Sequence, residues 1–182
     1  LWKYPTRAGV YAVQVADLDG QPIVLVGSDD NCVYALDGTG HQRWQYCTDS
    51  RITALSSFPG SILAASWDGY VYQVSPDGTL HQRYQVGEAG VEYPSALDSL
   101  PDGTVAIATN KGRLYLLSPT GDLRSLSALR GYVRRVRLAD LNGDGQPELI
   151  AGSSSGDIAL TPSSLRPPLP KLGEGEGRGE DP

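Results

Sequence analysis

Several kinds of residue are scarce in this sequence of 182 residues. It has one phenylalanine, two cysteines, two histidines and no methionine. No apolar run approaches the roughly 18 residues of a membrane helix, so we expect no membrane span. Two cysteines cannot form a disulfide framework. With so few sulfur and imidazole ligands, we expect any bound metal to be held by oxygen.

Basic residues and catalytic motifs are also in short supply. Lys and Arg number 15 against 21 Asp and Glu, which gives a net charge of -6. An acidic chain has no general attraction for nucleic acid or anionic lipid, so neither is an expected partner. The sequence contains no Gly-Lys-Ser/Thr phosphate loop, no G-x-S-x-G elbow and no Cys–His or Ser–His pair at an informative spacing. These absences argue against an enzyme.

What the chain does contain is a repeat. Related segments begin at Gly27, Ala65, Ala108 and Gly152, at spacings of 38, 43 and 44 residues. Such a period suits a four-stranded blade or a pair of helices. Each copy consists of short segments rich in Val, Ile, Tyr and Leu between Asp-Gly or Thr-Gly turns, which is typical of hairpins. The sequence therefore predicts an all-β fold, a β-propeller with four blades of four-stranded antiparallel sheet.

The predicted propeller spans residues 1–161, and its fourth copy stops before a last strand. Residues 1–6, LWKYPT, match the W-x-Y-x-T of Trp44 to Thr48, so they are predicted to be the last strand of a closing blade. Residues 162–182 contain no aromatic residue and include a Gly-Glu alternation at residues 173–177, and we expect a disordered tail there. The predicted blades cover residues 8–48, 51–86, 91–129 and 132–161.

Two stretches resemble known propeller repeats. Residues 15–48 resemble the quinoprotein-like (PQQ-like) repeat, with its V-Y-A-L-D strand at Val33 to Asp37, a Thr-Gly turn, and Trp44. Residues 138–153, LADLNGDGQPELIAGS, are similar to the FG-GAP or integrin-type repeat, whose first hairpin carries a calcium loop. Both resemblances imply a propeller. The vicinal cysteine pair of quinone-dependent dehydrogenases has no counterpart in this sequence.

The loop DLNGDGQPE is the strongest candidate for a metal site. Oxygen donors at alternate positions suit one calcium ion, which takes six to eight oxygen ligands. A plain Asn-Gly or Asp-Gly hairpin turn is the alternative. The corresponding loop of the first copy is two residues shorter, so Asp17 and Asp19 are expected to be turn residues. The predicted ligands are Asp140, Asn142, Asp144, the carbonyl of Gln146, and Glu148.

Other distinctive residues have structural explanations. His41 and His81 stand in the same HQR context of two repeats and are expected on strand surfaces. The quinoprotein resemblance implies that Trp2, Trp44 and Tyr84 pack between blades, with a carbohydrate or cofactor stack as the alternative. The basic stripe of Arg134, Arg135 and Arg137 is expected to solvate an outer face rather than to grip a phosphate.

The two cysteines are predicted to lie close together. If the turn DGTG places Asp37 opposite Gln42, then Cys32 lies opposite Cys47. Directly opposed residues are close enough for a disulfide, and two buried thiols are the alternative. Oxidation is expected only if the protein is exported.

These observations predict a non-catalytic binding or scaffold module with a protein partner, located outside the cytoplasm. The location is periplasmic, cell-surface or secreted, since both resembled families include extracytoplasmic proteins. The alternatives are a fragment of a quinone-dependent dehydrogenase and a carbohydrate- or ligand-binding sensor domain. Four blades could close on themselves, form an arc of a longer propeller, or complete a ring as a homodimer. We expect the isolated chain to dimerise or aggregate, because open end blades would expose apolar area.

Overall fold

The computed structural model describes residues 1–18 and 20–161, and all of their regular secondary structure is β-strand. The strands form four antiparallel sheets, each an up-and-down meander in chain order. Three sheets have four strands and the last has three. The all-β, four-bladed architecture predicted from the repeats is present. Asp19 and the expected disordered tail at residues 162–182 lie outside the described residues.

Blade 1 consists of β1 (Val10–Leu18), β2 (Gln21–Ser28), β3 (Cys32–Leu36) and β4 (Gln42–Cys47). Blade 2 consists of β5 (Ile52–Phe58), β6 (Ser61–Ser66), β7 (Tyr70–Val74) and β8 (Leu80–Gln85). Blade 3 consists of β9 (Pro94–Ser99), β10 (Val105–Thr109), β11 (Arg113–Leu117) and β12 (Leu123–Ala128). Blade 4 consists of β13 (Val133–Ala139), β14 (Glu148–Ser153) and β15 (Ile158–Leu160).

The turns between strands are fixed by short polar side chains. The Oδ1 atom of Asp37 accepts hydrogen bonds from the backbone N–H of Thr39 at 2.8 Å and from its hydroxyl at 2.6 Å. Asp77 and Thr79 repeat this arrangement in blade 2 at 3.0 and 2.7 Å. These bonds satisfy backbone groups that would otherwise compete with the strand ladder, which explains why each D-x-T sequence ends one strand and begins the next.

The core is divided among the blade interfaces. One cluster joins blades 1 and 2 and includes Leu25, Val33, Ile52 and Ile62. Separate clusters join blade 2 to blade 3 and blade 3 to blade 4. The middle strands β3, β6 and β10 are buried along their whole length. Neighbouring blades cover β6 and β10 on both sides, whereas blade 2 and the N-terminal segment cover β3. Face-to-face stacking of sheets is the propeller arrangement.

Four strands, β1, β5, β9 and β13, stand innermost. Each is the first strand of its blade, and β1 packs against β5, β5 against β9, and β9 against β13. Among the described residues, β13 and β1 make no contact of comparable extent. Each inner strand has a bulge one residue after its start, at Tyr11, Thr53, Ser95 and Arg134.

The N-terminal segment differs from its prediction in one respect. Residues 1–6 form no strand, so they do not supply the expected last strand of a closing blade by hydrogen bonding. The segment instead lies on blade 1, because its two aromatic side chains find partners there. The indole N–H of Trp2 donates to the carbonyl of Gly38 at 3.1 Å, and the Tyr4 ring lies 5.6 Å from that of Tyr34.

These contacts repeat those that β4 makes with blade 2. The indole of Trp44 donates to the carbonyl of Pro76 at 2.8 Å, and the rings of Tyr46 and Tyr72 are 5.9 Å apart. Residues 1–6 therefore occupy, on blade 1, the place that an outermost strand of a preceding blade would take. The expected packing of Trp44 and Tyr84 between blades is also observed, since Tyr84 belongs to the cluster joining blades 2 and 3.

Candidate functional site

The predicted calcium ligands lie in the loop between β13 and β14. The two carboxylate oxygens of Asp140 accept backbone N–H groups from Gly143 and Gly145, each at 2.8 Å. The backbone N–H of Gln146 donates to Asp144 at 2.7 Å. The loop thus folds around its own side chains, with acceptor oxygens oriented inward at alternate positions.

Glu148 closes the loop from the first residue of β14. Its carboxylate is buried and accepts the backbone N–H of Leu141 at 2.8 Å. The amide nitrogen of Asn142 donates both to Asp144, at 3.1 Å, and to Glu148, at 3.2 Å. Within the part of the chain that the structure describes, no three His, Cys, Asp or Glu side chains converge as a metal cluster would require. Asp140, Asn142, Asp144, Gln146 and Glu148 are the residues that would hold an ion in this loop, where it would supply positive charge beside three carboxylates.

The shorter loop of blade 1 agrees with its prediction as a turn. The Oδ1 atom of Asp17 accepts the backbone N–H of Gly20 at 2.7 Å. This bond matches the one between Asp140 and Gly143, also three residues apart, at 2.8 Å. Asp17 and Asp140 therefore both accept a backbone N–H of their turn, and Asp140 accepts a second one from Gly145.

A polar channel runs between the four inner strands. The channel has a volume of about 390 Å³ and is lined by residues of β1, β5, β9 and β13. Its wall includes Gln14, Ser56, Ser95 and Asp98. The volume falls within the range of small-molecule sites.

Two of the three arginines of the basic stripe line this channel, so their predicted position on an outer face is wrong. Arg135 and Arg137 line the cavity because β13 is the innermost strand of blade 4. A charged residue on an inner strand can still reach water, since the channel is open. Arg137 is paired with Asp98 of the neighbouring blade at 3.0 Å.

Aromatic rings and guanidinium groups gather where the inner strands begin. The guanidinium carbon of Arg51 lies 3.0 Å from the centre of the Trp67 ring, which in turn lies 4.8 Å from the Tyr93 ring. Burial raises the pKa of Tyr132, and the neighbouring Tyr93 adds to the effect. We call this set the channel-mouth cluster: Tyr11, Arg51, Trp67, Tyr93, Tyr132 and Arg134.

The aromatic residues of this cluster stand in none of the motifs described above and were not predicted as site residues. Arg51, Tyr93 and Tyr132 immediately precede β5, β9 and β13, and Trp67 lies in the turn after β6. Arg51, Tyr93 and Tyr132 thus occupy equivalent positions just before an inner strand, and an alignment of the repeats could have shown this. The histidines follow their prediction: both His41 and His81 are exposed, and His41 contacts the Thr39 hydroxyl at 2.8 Å.

Blade 1 has an open face, formed by Val10, Val13 and Val15, on the side turned away from blade 2. Val13 is 65% and Val15 is 69% exposed. The register places Leu55, Leu97 and Val136 at the position of Val13, and each of these three packs into the interface with the preceding blade. Val10 is 49% exposed, whereas its equivalents Ile52 and Val133 are 0% exposed. The open face therefore has the composition of an internal blade interface without its partner blade.

Blade 4 is open on its opposite side. Ala159 of β15 packs toward blade 3, so its neighbours Ile158 and Leu160 face away from the molecule, since side chains alternate along a strand. Ile158 is 79% exposed and Leu160 is 59% exposed. Within the described residues β15 also has no partner strand on its outer edge. We call Ile158 and Leu160 the open face of blade 4.

The cysteine pair lies on the outer hairpin of blade 1. Cys32 is opposite Cys47, as predicted, and the two form a disulfide with a Cα–Cα distance of 4.0 Å. The predicted pairing holds as far as Ala35 and Trp44 and then shifts, so that Leu36 faces Gln42. The prediction that Asp37 faces Gln42 is wrong because the bulge takes up one residue of β4.

Comparison with known proteins gives a clear fold and distant relatives. No protein-family model matches the chain. Lambda-carrageenases of Pseudoalteromonas carrageenovora and of a Pseudoalteromonas species are 25% and 24% identical to it over 84% of its length. The chain spans one fifth of the length of these relatives. None of the described residues belongs to a helix with the length and hydropathy that a membrane crossing requires.

Solved structures resemble the chain more extensively. The computationally designed Ika4 protein has a TM-score of 0.72 and 17% identity, covering 86% of this chain and 92% of its own. The WD40 β-propeller domain of Doa1 has a TM-score of 0.72 and 15% identity, and the match covers 86% of this chain and 51% of the Doa1 chain. BBS1N in complex with ARL6DN has a TM-score of 0.68 and 17% identity, and the match covers 87% of this chain and 52% of that chain. This chain is a β-propeller fold whose four blades match about half of each of the latter two chains.

Proposed function

We propose that the chain is a non-catalytic binding and scaffold module that completes a ring with a second copy of itself. The observation that carries this proposal is the open face of blade 1. Val10, Val13 and Val15 are exposed at positions that are packed against a neighbouring blade in the rest of the molecule. Burying one such side chain contributes about 1.5 kcal/mol or more. A protein surface of this kind favours another protein as the partner.

The second open face makes a copy of the chain a suitable partner. The open face of blade 4 meets the open face of blade 1 of the second copy, and the reverse contact closes the ring. Two copies then give eight blades, which lies within the range of known propellers. The match of this chain to half of two larger propeller chains supports this curvature. Residues 1–6 of each copy lie where they can pair with the unpaired edge of β15 in the other.

The first prediction concerns the mass of the chain in solution. We expect light scattering after gel filtration to give twice the monomer mass of 19.4 kDa. Val13→Glu with Val15→Glu places charges in the seam and is expected to give a monomer. Leu80→Glu, at an exposed apolar residue of the middle blade 2, is the matched control and should leave the dimer intact.

A monomeric natural chain would contradict the ring, as would a dimer that survives both valine substitutions. Open, concentration-dependent polymers would also contradict it, because head-to-tail contacts that fail to close generate filaments. Circular dichroism of each variant separates loss of assembly from loss of the fold.

We also propose that the loop from Asp140 to Glu148 binds one calcium ion that stabilises the β13–β14 hairpin. Its oxygen donors are of the kind that calcium prefers, and Asn142 already holds two of its carboxylates together. Only three carboxylates contribute, which suits the millimolar calcium found outside cells. The disulfide between Cys32 and Cys47 supports the same location, since disulfides persist in oxidising compartments.

The second prediction tests this ion by calorimetric titration. We expect one calcium ion per chain, with binding lost in Asp144→Ala. Asp17→Ala changes the equivalent turn of blade 1 and should leave the stoichiometry at one. No heat of binding in the natural chain, or an unchanged affinity in Asp144→Ala, would leave a plain hairpin turn.

A second candidate function is that of an accessory, saccharide-binding region within a longer polysaccharide-degrading enzyme. The alignment with two lambda-carrageenases over 84% of the chain favours it. Retardation of the chain in gels containing lambda-carrageenan would support this candidate. Unchanged migration, compared with a gel lacking the polysaccharide, would count against it.

A further inference from the structure

The channel-mouth cluster joins all four blades in one continuous row. Arg51 lies between the rings of Trp67, at 3.0 Å, and Tyr11, at 5.7 Å. Trp67 stacks with Tyr93 at 4.8 Å, with an interplanar angle of 35°. At the far end, the guanidinium carbon of Arg134 lies 5.6 Å from the centre of the Tyr132 ring. The cluster therefore combines four aromatic rings with two guanidinium groups.

The bulges of the inner strands show which residues are left for a ligand. In blade 2 the hydroxyl of Thr53 donates to the carbonyl of Pro94 at 2.6 Å, and in blade 3 the hydroxyl of Ser95 donates to that of Val133 at 2.7 Å. These two bulge residues join neighbouring blades. In the end blades the same position carries Tyr11 and Arg134, both exposed, which make no such bond among the described residues. Bulges often orient a side chain toward a functional site.

The charges at this end of the channel are unevenly compensated. Arg51 is paired with Asp29 at 3.7 Å, Arg113 with Glu92 at 3.2 Å, and Arg130 with Asp157 at 3.1 Å. By contrast, Arg134 and Arg135 have no carboxylate partner within the described residues. Two adjacent guanidinium groups without a counter-charge, one lining the channel and one at its mouth, favour an anion.

We infer that the channel mouth binds an acidic saccharide. A sugar ring stacks its apolar face on the ring of Tyr11, which lines the channel and is 61% exposed. Its hydroxyl groups find a hydrogen-bond acceptor in the side-chain carbonyl of Gln14 on the channel wall. A carboxylate or sulfate group of the sugar binds to Arg134 and Arg135. The inference rests on the saccharide-binding candidate of the preceding section and concerns the single chain.

Calorimetric titration with defined probes tests the site in the full chain. The probes are a hexamer of polygalacturonate, a dextran sulfate of similar length, neutral maltohexaose and inorganic sulfate. We expect the two acidic saccharides to bind, and maltohexaose and inorganic sulfate to bind at least tenfold more weakly. Arg134→Gln with Arg135→Gln is expected to weaken the acidic probes about a hundredfold, about tenfold for each charge-assisted contact. Arg124→Gln, at an exposed arginine of the outer strand β12, should change nothing.

Several results would overturn the inference. These are no binding of either acidic saccharide, equal binding of maltohexaose, or equal binding of inorganic sulfate. Acidic-saccharide affinity that is insensitive to the Arg134 and Arg135 substitutions would also overturn it. If lambda-carrageenan still retards that double variant, the chain binds saccharide, but its binding site is not the channel mouth. Binding of the acidic hexamers without retardation by lambda-carrageenan would support the site and separate it from that candidate.

Discussion

Cys32 and Cys47 show how much a single residue pair can be inferred from the sequence. Counting residues around the DGTG turn places them opposite each other, and the observed ladder agrees from Cys32 as far as Ala35. The count fails one step from the turn, where a bulge takes up one residue. A bulge adds one residue to one strand without changing the hydrophobic pattern of either, so pattern alone does not reveal it.

The third prediction follows from this pair. Reduction of the disulfide, which closes a loop of 15 residues, is expected to lower the free energy of unfolding by about 3 kcal/mol. The measurement is urea unfolding with and without dithiothreitol. The double variant Cys32→Ser with Cys47→Ser should already have the lower value and should not respond to the reductant. A response in that variant, or two free thiols in the denatured and alkylated natural chain, would contradict the prediction.

At the level of elements, the sequence predicted the order of the strands but not which parts of the molecule each strand would face. The observed strands fall within the predicted blade ranges, because each turn carries its own Asp, Gly or Thr signal. The W-x-Y match of residues 1–6 indicated where this segment packs. It did not indicate that the segment would form no β-sheet hydrogen bonds with a neighbouring strand. The arginines of β13 were misplaced, because the sequence of a strand does not say whether its polar side faces a channel or the outside.

The N-terminal segment and β4 provide a matched pair for the fourth prediction. Gly40 and Gly78 both have a positive φ, of 88° and 90°, and both lie against a tryptophan ring. An added Cβ would come within 2.6 Å of Trp2 at Gly40 and within 2.8 Å of Trp44 at Gly78. Trp2 belongs to a surface segment, whereas Trp44 is packed into the interface of blades 1 and 2.

We therefore expect Gly78→Ala to be more destabilising than Gly40→Ala in chemical unfolding. Each substitution carries a similar backbone penalty of about 1–2 kcal/mol, because alanine is strained in the left-handed region. The difference between the two changes in the free energy of unfolding therefore reports the cost of displacing Trp44 relative to Trp2. In a Trp2→Ala background, Gly40→Ala should cost only the backbone penalty. Equal effects of the two glycine substitutions would indicate that Trp2 is held as firmly as Trp44.

For the whole molecule, the period of the repeat predicted the fold, but the proposed ring would depend on two faces that lie far apart in the sequence. The channel-mouth cluster was missed for a similar reason. Its six residues come from four blades, and only Arg51, Tyr93 and Tyr132 share an equivalent position in the repeat, just before an inner strand.

The fifth prediction uses the difference between the two open faces. One variant carries Val13→Glu and Val15→Glu, and a second carries Ile158→Glu and Leu160→Glu. Each variant alone is expected to be monomeric, because every seam it could form with its own kind contains an altered face. An equimolar mixture retains one unaltered pair of faces and is expected to form a heterodimer. Analytical ultracentrifugation of the mixture and of each variant at the same total concentration measures this, and an entirely monomeric mixture would contradict the two-face arrangement.

The division of the core into separate clusters has a consequence for local stability. Each cluster belongs to one interface, and each blade is held only by its immediate neighbours, so the chain behaves as a short linear array rather than as one indivisible core. In the single chain, blade 4 has the fewest strands and one neighbour, so its amide hydrogens exchange with solvent through local opening at the lowest free energy. Protection against exchange then rises toward blade 2, which is flanked on both sides. The disulfide in blade 1 makes the gradient asymmetric, so fraying begins at the C-terminal end of the array.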